Sequence, residues 1–209
     1  MPWVDIQQNT DEWLDLRIGK VTGSAIAKVM ANYGKAFGDP AKRLAMSIAY
    51  EQITGTREEE SGFSNGHMDR GHIQEPLARA EYEAENFVEV SNGGFYDDGM
   101  LGSSPDGLVY DNGVIEIKSV IRTAHGKVVR SGTYDKTYKW QLFFNLKVSG
   151  REWIDFISYC ASLPEGNRLY VVRICKEDVQ EEFAMMSSRL TQFFALVDCI
   201  KQDILKTWR

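Results

Sequence analysis

The segment from Ser104 to Val120, SPDGLVYDNGVIEIKSV, restricts the possible folds more than any other stretch of this chain. Ser104-Pro105-Asp106-Gly107 favours a turn, because proline presets one backbone angle and glycine accepts angles that side chains resist. Residues 108–110 then read as a short strand and 114–120 as a longer one, with Asp111-Asn112-Gly113 between them. Asn-Gly accepts the positive φ angles of a tight turn, so the two strands are expected to form a hairpin. Side chains alternate along a strand, which puts Glu116 and Lys118 on one face and Ile115 and Ile117 on the other.

Around this hairpin the apolar pattern predicts helices before and after it. Thr10 can cap a helix carrying Trp13, Leu14 and Leu16, and Ser24 a second with Ile26, Val29 and Met30. Asp39-Pro40 reads as a cap with proline at the first helical position, starting a helix that runs to Gly55. A further helix covers about 64–85, and Pro76 is expected to kink it just after Glu75. Other strands are predicted at 87–90, 94–96, 153–160 and 169–175, with a helix over 135–148 closed by Ser149-Gly150. The last helix buries Phe183, Leu190, Phe193, Val197 and Ile200. The fold class is therefore α/β, a central mixed β-sheet flanked by helices, with residues 1–209 as one domain.

Composition narrows the chemistry. At 43% hydrophobic and 26% charged residues the chain can bury a core, so disorder is not expected. No secretory signal or bilayer-length apolar run is read, which predicts a cytoplasmic protein with no membrane partner. Cys160, Cys175 and Cys199 fit no zinc spacing and are expected to be reduced and buried. The formal charge of −6 argues against a protein that coats nucleic acid through a basic face. It does not argue against a metal-dependent site, where carboxylates bind divalent ions that reverse the local charge.

If the hairpin pairs around Asn112-Gly113, Asp106 comes within reach of Glu116. Hard oxygen ligands converging there suit Mg²⁺ or Mn²⁺, and Lys118 could orient an attacking water and help deprotonate it. Plainer readings stand beside this one. Glu-x-Lys on a strand is commonly a solvated pair, and Pro-Asp-Gly is commonly only a turn.

Pro105-Asp106…Glu116-x-Lys118 resembles the PD-(D/E)xK nuclease pattern, in which the acids bind metal and the lysine assists hydrolysis. Three further segments are similar to the lambda exonuclease (viral recombinase) family: Leu16 to Ser24 (LRIGKVTGS), Gly71 to Arg79 (GHIQEPLAR), and Tyr138 to Leu142 (YKWQL). The resemblance runs in order from about residue 10 to 175. It is poor over 122–136, so contacts that the family makes there are not carried over.

The resemblance implies a single PD-(D/E)xK nuclease domain using two Mg²⁺ ions, for which Mn²⁺ can substitute. Glu75 matches the helical acid of the metal site, Asp106 the aspartate touching both metals, and Glu116 the second acid. Ile117 lends a backbone carbonyl to the metal, and Gln141 matches a glutamine near the scissile phosphate. Arg17 and Ser24 match residues that hold a terminal 5′-phosphate, and Ser104 joins this DNA-binding set. An arginine beside a serine-capped helix N-terminus is also a reasonable phosphate pocket on physical grounds. Met68 occupies the place of a strand-separating wedge, with a plain core role as the alternative. His67 and His72 are read as structural, with a phosphate contact as the alternative for His72. The implied activity is hydrolysis of one strand of linear duplex DNA from a 5′-phosphorylated end. Also implied are a ring-shaped homotrimer, a single-strand annealing partner, and a phage or prophage origin in a bacterial host. An endonuclease of the same fold and a catalytically dead DNA-binding scaffold are the rivals. Three cysteines are too few for an iron–sulfur nuclease, and no Gly-rich Lys-Ser/Thr loop points to ATP use.

Overall fold

The computed structural model describes residues 2–57 and 66–208, with the backbone alone at 66–70 and 72. In chain order the elements are β1 (Trp3–Val4), α1 (Asp11–Asp15), β2 (Val21–Thr22), α2 (Ile26–Met30), α3 (Asp39–Thr54) and α4 (Gly66–Asn86). Five strands follow: β3 (Val90–Ser91), β4 (Phe95–Asp97), β5 (Leu101–Ser103), β6 (Gly107–Val109) and β7 (Gly113–Ser119). The chain continues with α5 (Arg122–Ser131), a 3₁₀ turn (Lys136–Tyr138), α6 (Lys139–Ser149), β8 (Trp153–Tyr159), β9 (Leu169–Cys175), a second 3₁₀ turn (Lys176–Val179) and α7 (Gln180–Thr207).

The expected α/β class, a central mixed sheet flanked by helices, is borne out. The main sheet has the order β3-β6-β7-β8-β9, antiparallel except for the parallel β7–β8 pair. Parallel neighbours need a long crossover, and α5 and α6 supply it. Ile115, Ile117 and Ile157 pack on one face with Ala78 and Tyr82 of α4. Val114, Ile154 and Phe156 pack on the other with Leu142 and Leu146 of α6 and with Phe183 and Leu190 of α7. Lying between two helical layers explains why β7 is apolar on both sides around its few polar positions. Of the small second sheet, β1-β4-β5-β2, only β4 is foreseen, as the strand expected at 94–96; β1, β2 and β5 are too short to show an alternation.

Several local expectations change. Thr10 caps α1 as expected, its hydroxyl accepting from the Trp13 N–H. Ser24 does not cap α2: the N-cap is Ala25, without a side-chain cap, and the helix has only five residues. Gly38, not Asp39, is the N-cap of α3, with Pro40 in its first turn and Gly55 closing it at φ +69°. Pro76 lies inside α4 and does not end it. The strand expected at 87–90 is reduced to Val90–Ser91, because α4 reaches Asn86 and Phe87 turns the chain at φ +53°. In the β6–β7 hairpin the positive φ falls on Tyr110, at +49°, and not on Asn112 or Gly113. Gly113 serves close packing instead, since a Cβ there would lie 2.1 Å from Cζ2 of Trp153. Residues 122–131 form a helix where the sequence pattern predicts none. Cys160 is buried, but Cys175 is half-buried and Cys199 exposed; Cys199 therefore departs from the expected core role. Met68, His67 and His72 belong to α4, and the side-chain roles expected of them lie outside the described residues.

Candidate active site at the β6–β7 hairpin

Residue Asp106 sits at the entry to β6, where its backbone N–H donates to the Ile115 carbonyl at 3.0 Å and extends the ladder with β7. Its carboxylate Oδ2 accepts the Ile117 N–H at 2.6 Å. The aspartate is therefore fixed against β7 by its main chain and its side chain together. Glu116, 1% exposed, emerges from β7 on the face covered by α6. Its Oε1 accepts from the Lys118 ammonium at 2.5 Å and from the Gln141 amide, and its Oε2 from Asn145 Nδ2 at 2.7 Å. Lys118 and Glu116 thus share a face, as strand alternation requires. Gln141 and Asn145 are one helical turn apart on α6 and present their amides together.

Glu75 approaches from α4, one turn before Arg79, with which it pairs at 3.7 Å. Arg79 also donates to the Asp106 carbonyl, tying the helical acid to the hairpin. The structure thus brings Glu75, Asp106, Glu116, Lys118 and Gln141 into one neighbourhood, with Ile117 between the two hairpin acids' partners.

Electrostatics follow from this crowding. Burial, and then the charges of Glu116 and Glu75, push the Asp106 carboxyl well above the ordinary carboxylate range, although part of its surface still meets solvent. Lys118 and the Ile117 N–H oppose that shift without cancelling it. Burial alone would lower the Lys118 amine, but the Glu116 and Asp106 carboxylates outweigh it and hold the ammonium above its usual range. Among the described residues no three His, Cys, Asp or Glu side chains close on one point as a metal site would. The donor set nevertheless fits a hard cation. Three carboxylates crowd one place against Lys118 and Arg79, and the like charges of Glu116 and Glu75 add to burial in raising Asp106.

A second cluster flanks the hairpin. The Arg17 guanidinium lies 4.2 Å over the Trp13 ring and reaches Thr22 Oγ1 at 3.5 Å, and Thr22 Oγ1 stands 3.3 Å from Ser24 Oγ. Trp13 Nε1 donates to Ser104 Oγ at 2.8 Å, two residues before Asp106. Arg17, Ser24 and Ser104 are thus linked through Trp13 and Thr22. The helix N-terminus expected for this pocket is absent, because α2 starts later and is too short; the guanidinium and hydroxyls remain.

Sequence reasoning misses Asn145, Arg79, Trp13 and Thr22. The first is the most consequential. Asn145 is buried, donates to Glu116 and accepts from Ser103 Oγ at 2.9 Å. A Cβ on Gly23 would lie 2.6 Å from its Oδ1, so the glycine beside Thr22 and Ser24 is packed against it. A polar residue on an otherwise apolar run, Leu142-Phe143-Phe144-Asn145-Leu146, is the signal that could have found it.

Comparison with known proteins bears on the family and the fold. Residues 12–152 match the YqaJ-like viral recombinase domain family. The fold is similar to that of an alkaline exonuclease from Laribacter hongkongensis, with 32% identity and a TM-score of 0.77 over 95% of this chain and 100% of that one. The structure of the same enzyme in complex with dAMP matches with a TM-score of 0.78 at 32% identity, over the same shares of both chains. A phage-related exonuclease from Haemophilus somnus 129PT shares the fold at 15% identity and a TM-score of 0.65, over 90% of this chain and 96% of that one. No curated protein sequence matches significantly. With two thirds of its length matched and the hairpin acids, lysine and α6 amides gathered as described, this chain belongs to the YqaJ-like viral recombinase domain family.

Proposed function

We propose that this chain is a metal-dependent exodeoxyribonuclease that degrades one strand of linear duplex DNA, 5′ to 3′, from a 5′-phosphorylated end. The reading rests on the convergence of Asp106, Glu116 and Lys118 at one hairpin, with Glu75 and Gln141 reaching it from two helices. The similar alkaline exonuclease, seen with a nucleoside monophosphate, supports it.

Asp106, Glu116, Glu75 and the Ile117 carbonyl would hold two Mg²⁺ ions, with Mn²⁺ as a substitute. Bound divalent ions supply Lewis-acid activation of the attacking water and charge stabilisation at the leaving 3′ oxygen. Lys118, kept as an ammonium by its carboxylate neighbours, donates to and orients the water or a phosphate oxygen. Gln141 orients the scissile phosphate through the amide it now directs at Glu116. Arg17 takes the terminal phosphate through its planar fork, assisted by Ser24 and Ser104, and Trp13 holds the guanidinium in place. Among the described residues no helix is long and apolar enough to cross a membrane. The reading extends to a homotrimeric ring, a single-strand annealing partner, and a phage- or prophage-encoded protein acting in the bacterial cytoplasm.

The test is an end-dependence assay. Purified protein is given 5′-phosphorylated and 5′-hydroxyl linear duplex and a closed circle, with and without Mg²⁺, and its mass is measured by light scattering. Expected are digestion of linear DNA only, dependence on the ion, preference for the phosphorylated end, and three times the chain mass. Arg17→Ala should reduce the end preference at least about tenfold, as the loss of a charge-assisted hydrogen bond implies. Cutting of the closed circle at the same rate would replace this reading with an endonuclease. A monomer would remove the ring alone.

A further inference from the structure

From Ile117 to Tyr134 the chain carries Lys118, Arg122, Lys127 and Arg130 and no Asp or Glu, although the whole chain has 30 acids against 24 Lys and Arg. The structure puts most of this interval into α5 and seats it beside the candidate site. Lys118 and Ser158 are in register on the parallel pair β7–β8, so their side chains rise from the same face of the sheet. His125 of α5 is hydrogen-bonded to Ser158 Oγ at 2.9 Å. The helix therefore lies on the Lys118 face, about one strand spacing of 4.8 Å to the side. His125 and Val128 are its buried stripe. Lys127 and Arg130 sit one turn apart on the exposed side. Among the described residues no ion pair involves Arg122, Lys127 or Arg130. Arg122 donates to Ser162, and Arg130 to the Gly126 carbonyl of its own helix.

An all-basic helix on an acidic protein, without carboxylate partners and next to the proposed hydrolytic lysine, is complementary to a polyanion running past that site. We propose that the exposed face of α5, with Lys127 and Arg130 at its centre, is the surface on which the phosphate backbone of duplex DNA rests as its end enters the site. This inference rests on the proposed nuclease reading for the identity of its partner. The contact is electrostatic and indifferent to sequence, since nothing on this helix is set to read base edges.

The experiment measures binding of a labelled duplex by fluorescence anisotropy across a salt series, with Ca²⁺ replacing Mg²⁺, for wild type, Lys127→Glu/Arg130→Glu and Lys127→Gln/Arg130→Gln. A control pair, Lys42→Glu/Lys206→Glu, makes the same charge change at exposed positions elsewhere. Thermal melting checks that each variant is folded. Both α5 variants should bind about tenfold or more weakly, with the log–log salt slope lower by about two, one for each phosphate no longer neutralised. The control pair should keep the wild-type slope. An unchanged slope in the α5 variants overturns the proposal. So does a fall in molecular mass with the slope retained, which would assign the face, with exposed Ile121 and Val129, to a second copy of this chain. If the protein binds duplex through α5 and cuts no DNA, the hydrolytic reading fails and the surface stands. If it cuts DNA and the slope does not move, the surface fails alone.

Discussion

Glu116 and Asp155 stand on adjacent strands, both 1% exposed, and project to opposite faces of the sheet. Asp155 is matched by its own protein. Arg173 grips it with two hydrogen bonds of 2.8 Å, Tyr82 adds a third at 2.7 Å, and the guanidinium stacks 3.7 Å over Trp153. At the hairpin Glu116, Asp106 and Glu75 crowd together against Lys118 and Arg79, and burial with the like charges of Glu116 and Glu75 raises the carboxyl of Asp106. A buried acid whose charge the fold neutralises is a structural element. One left crowded with like charges is where the proposed reading puts its cation.

Four substitutions can break or sharpen that contrast. The largest effect is expected at the crowded site: Lys118→Ala and Asp106→Asn should each lower turnover at least about a thousandfold. Asp106→Asn should leave the melting temperature unchanged or raised, because it removes a repelling charge and keeps an oxygen for the Ile117 N–H. If it unfolds the chain instead, the two sets of acids are alike after all. On the neutralised side, Asp155→Ala should cost about 3 kcal/mol in a denaturant titration, near the lower end for a broken buried pair because Arg173 is 51% exposed. Specific activity of the folded fraction should stay near wild type; a catalytic loss matching that of Asp106→Asn would place Asp155 in the site. The smallest effect is expected at Asn145, which orients Glu116 and touches no substrate. Asn145→Ala should raise the Mg²⁺ concentration needed for half-maximal activity about 10–100-fold, with turnover at saturating ion largely restored. A uniform loss of turnover and stability would make Asn145 a packing residue only.

What is legible in the sequence is local. Turn residues at 104–107 and 111–113, and the alternation of Val114 to Lys118, carry the hairpin and its acid–lysine face without any distant contact. The apolar period of α7 is equally readable, yet Arg189 within it is buried and donates to the carbonyls of Val29, Ala31 and Lys35. Those partners are remote in the chain, between residues 29 and 35, and no helical pattern announces them. Asn145, Trp13 and Thr22 escape a reading of the sequence for the same reason: each acts through a residue brought near by the fold. Ser24 errs in the opposite direction, because a cap-forming residue type is present and its hydroxyl finds Thr22 instead. The basic run of α5 is visible as charge, but its seat on the Lys118 face depends on the parallel register of β7 and β8.

That register also divides labour along the chain. Every side chain assigned to the hydrolytic and phosphate sites precedes Gly150, while β8, which pairs β7 along its full length, begins at Trp153. A chain emerging from the ribosome therefore carries all of its chemistry before it can hold β7 on both sides. Until β8 arrives, the edge of β7 presents seven residues of open N–H and C=O groups to any similar strand nearby. The strand that completes the pairing of β7 carries none of the side chains assigned to the site, so the last support of the hairpin comes from a part of the chain with no share in its chemistry.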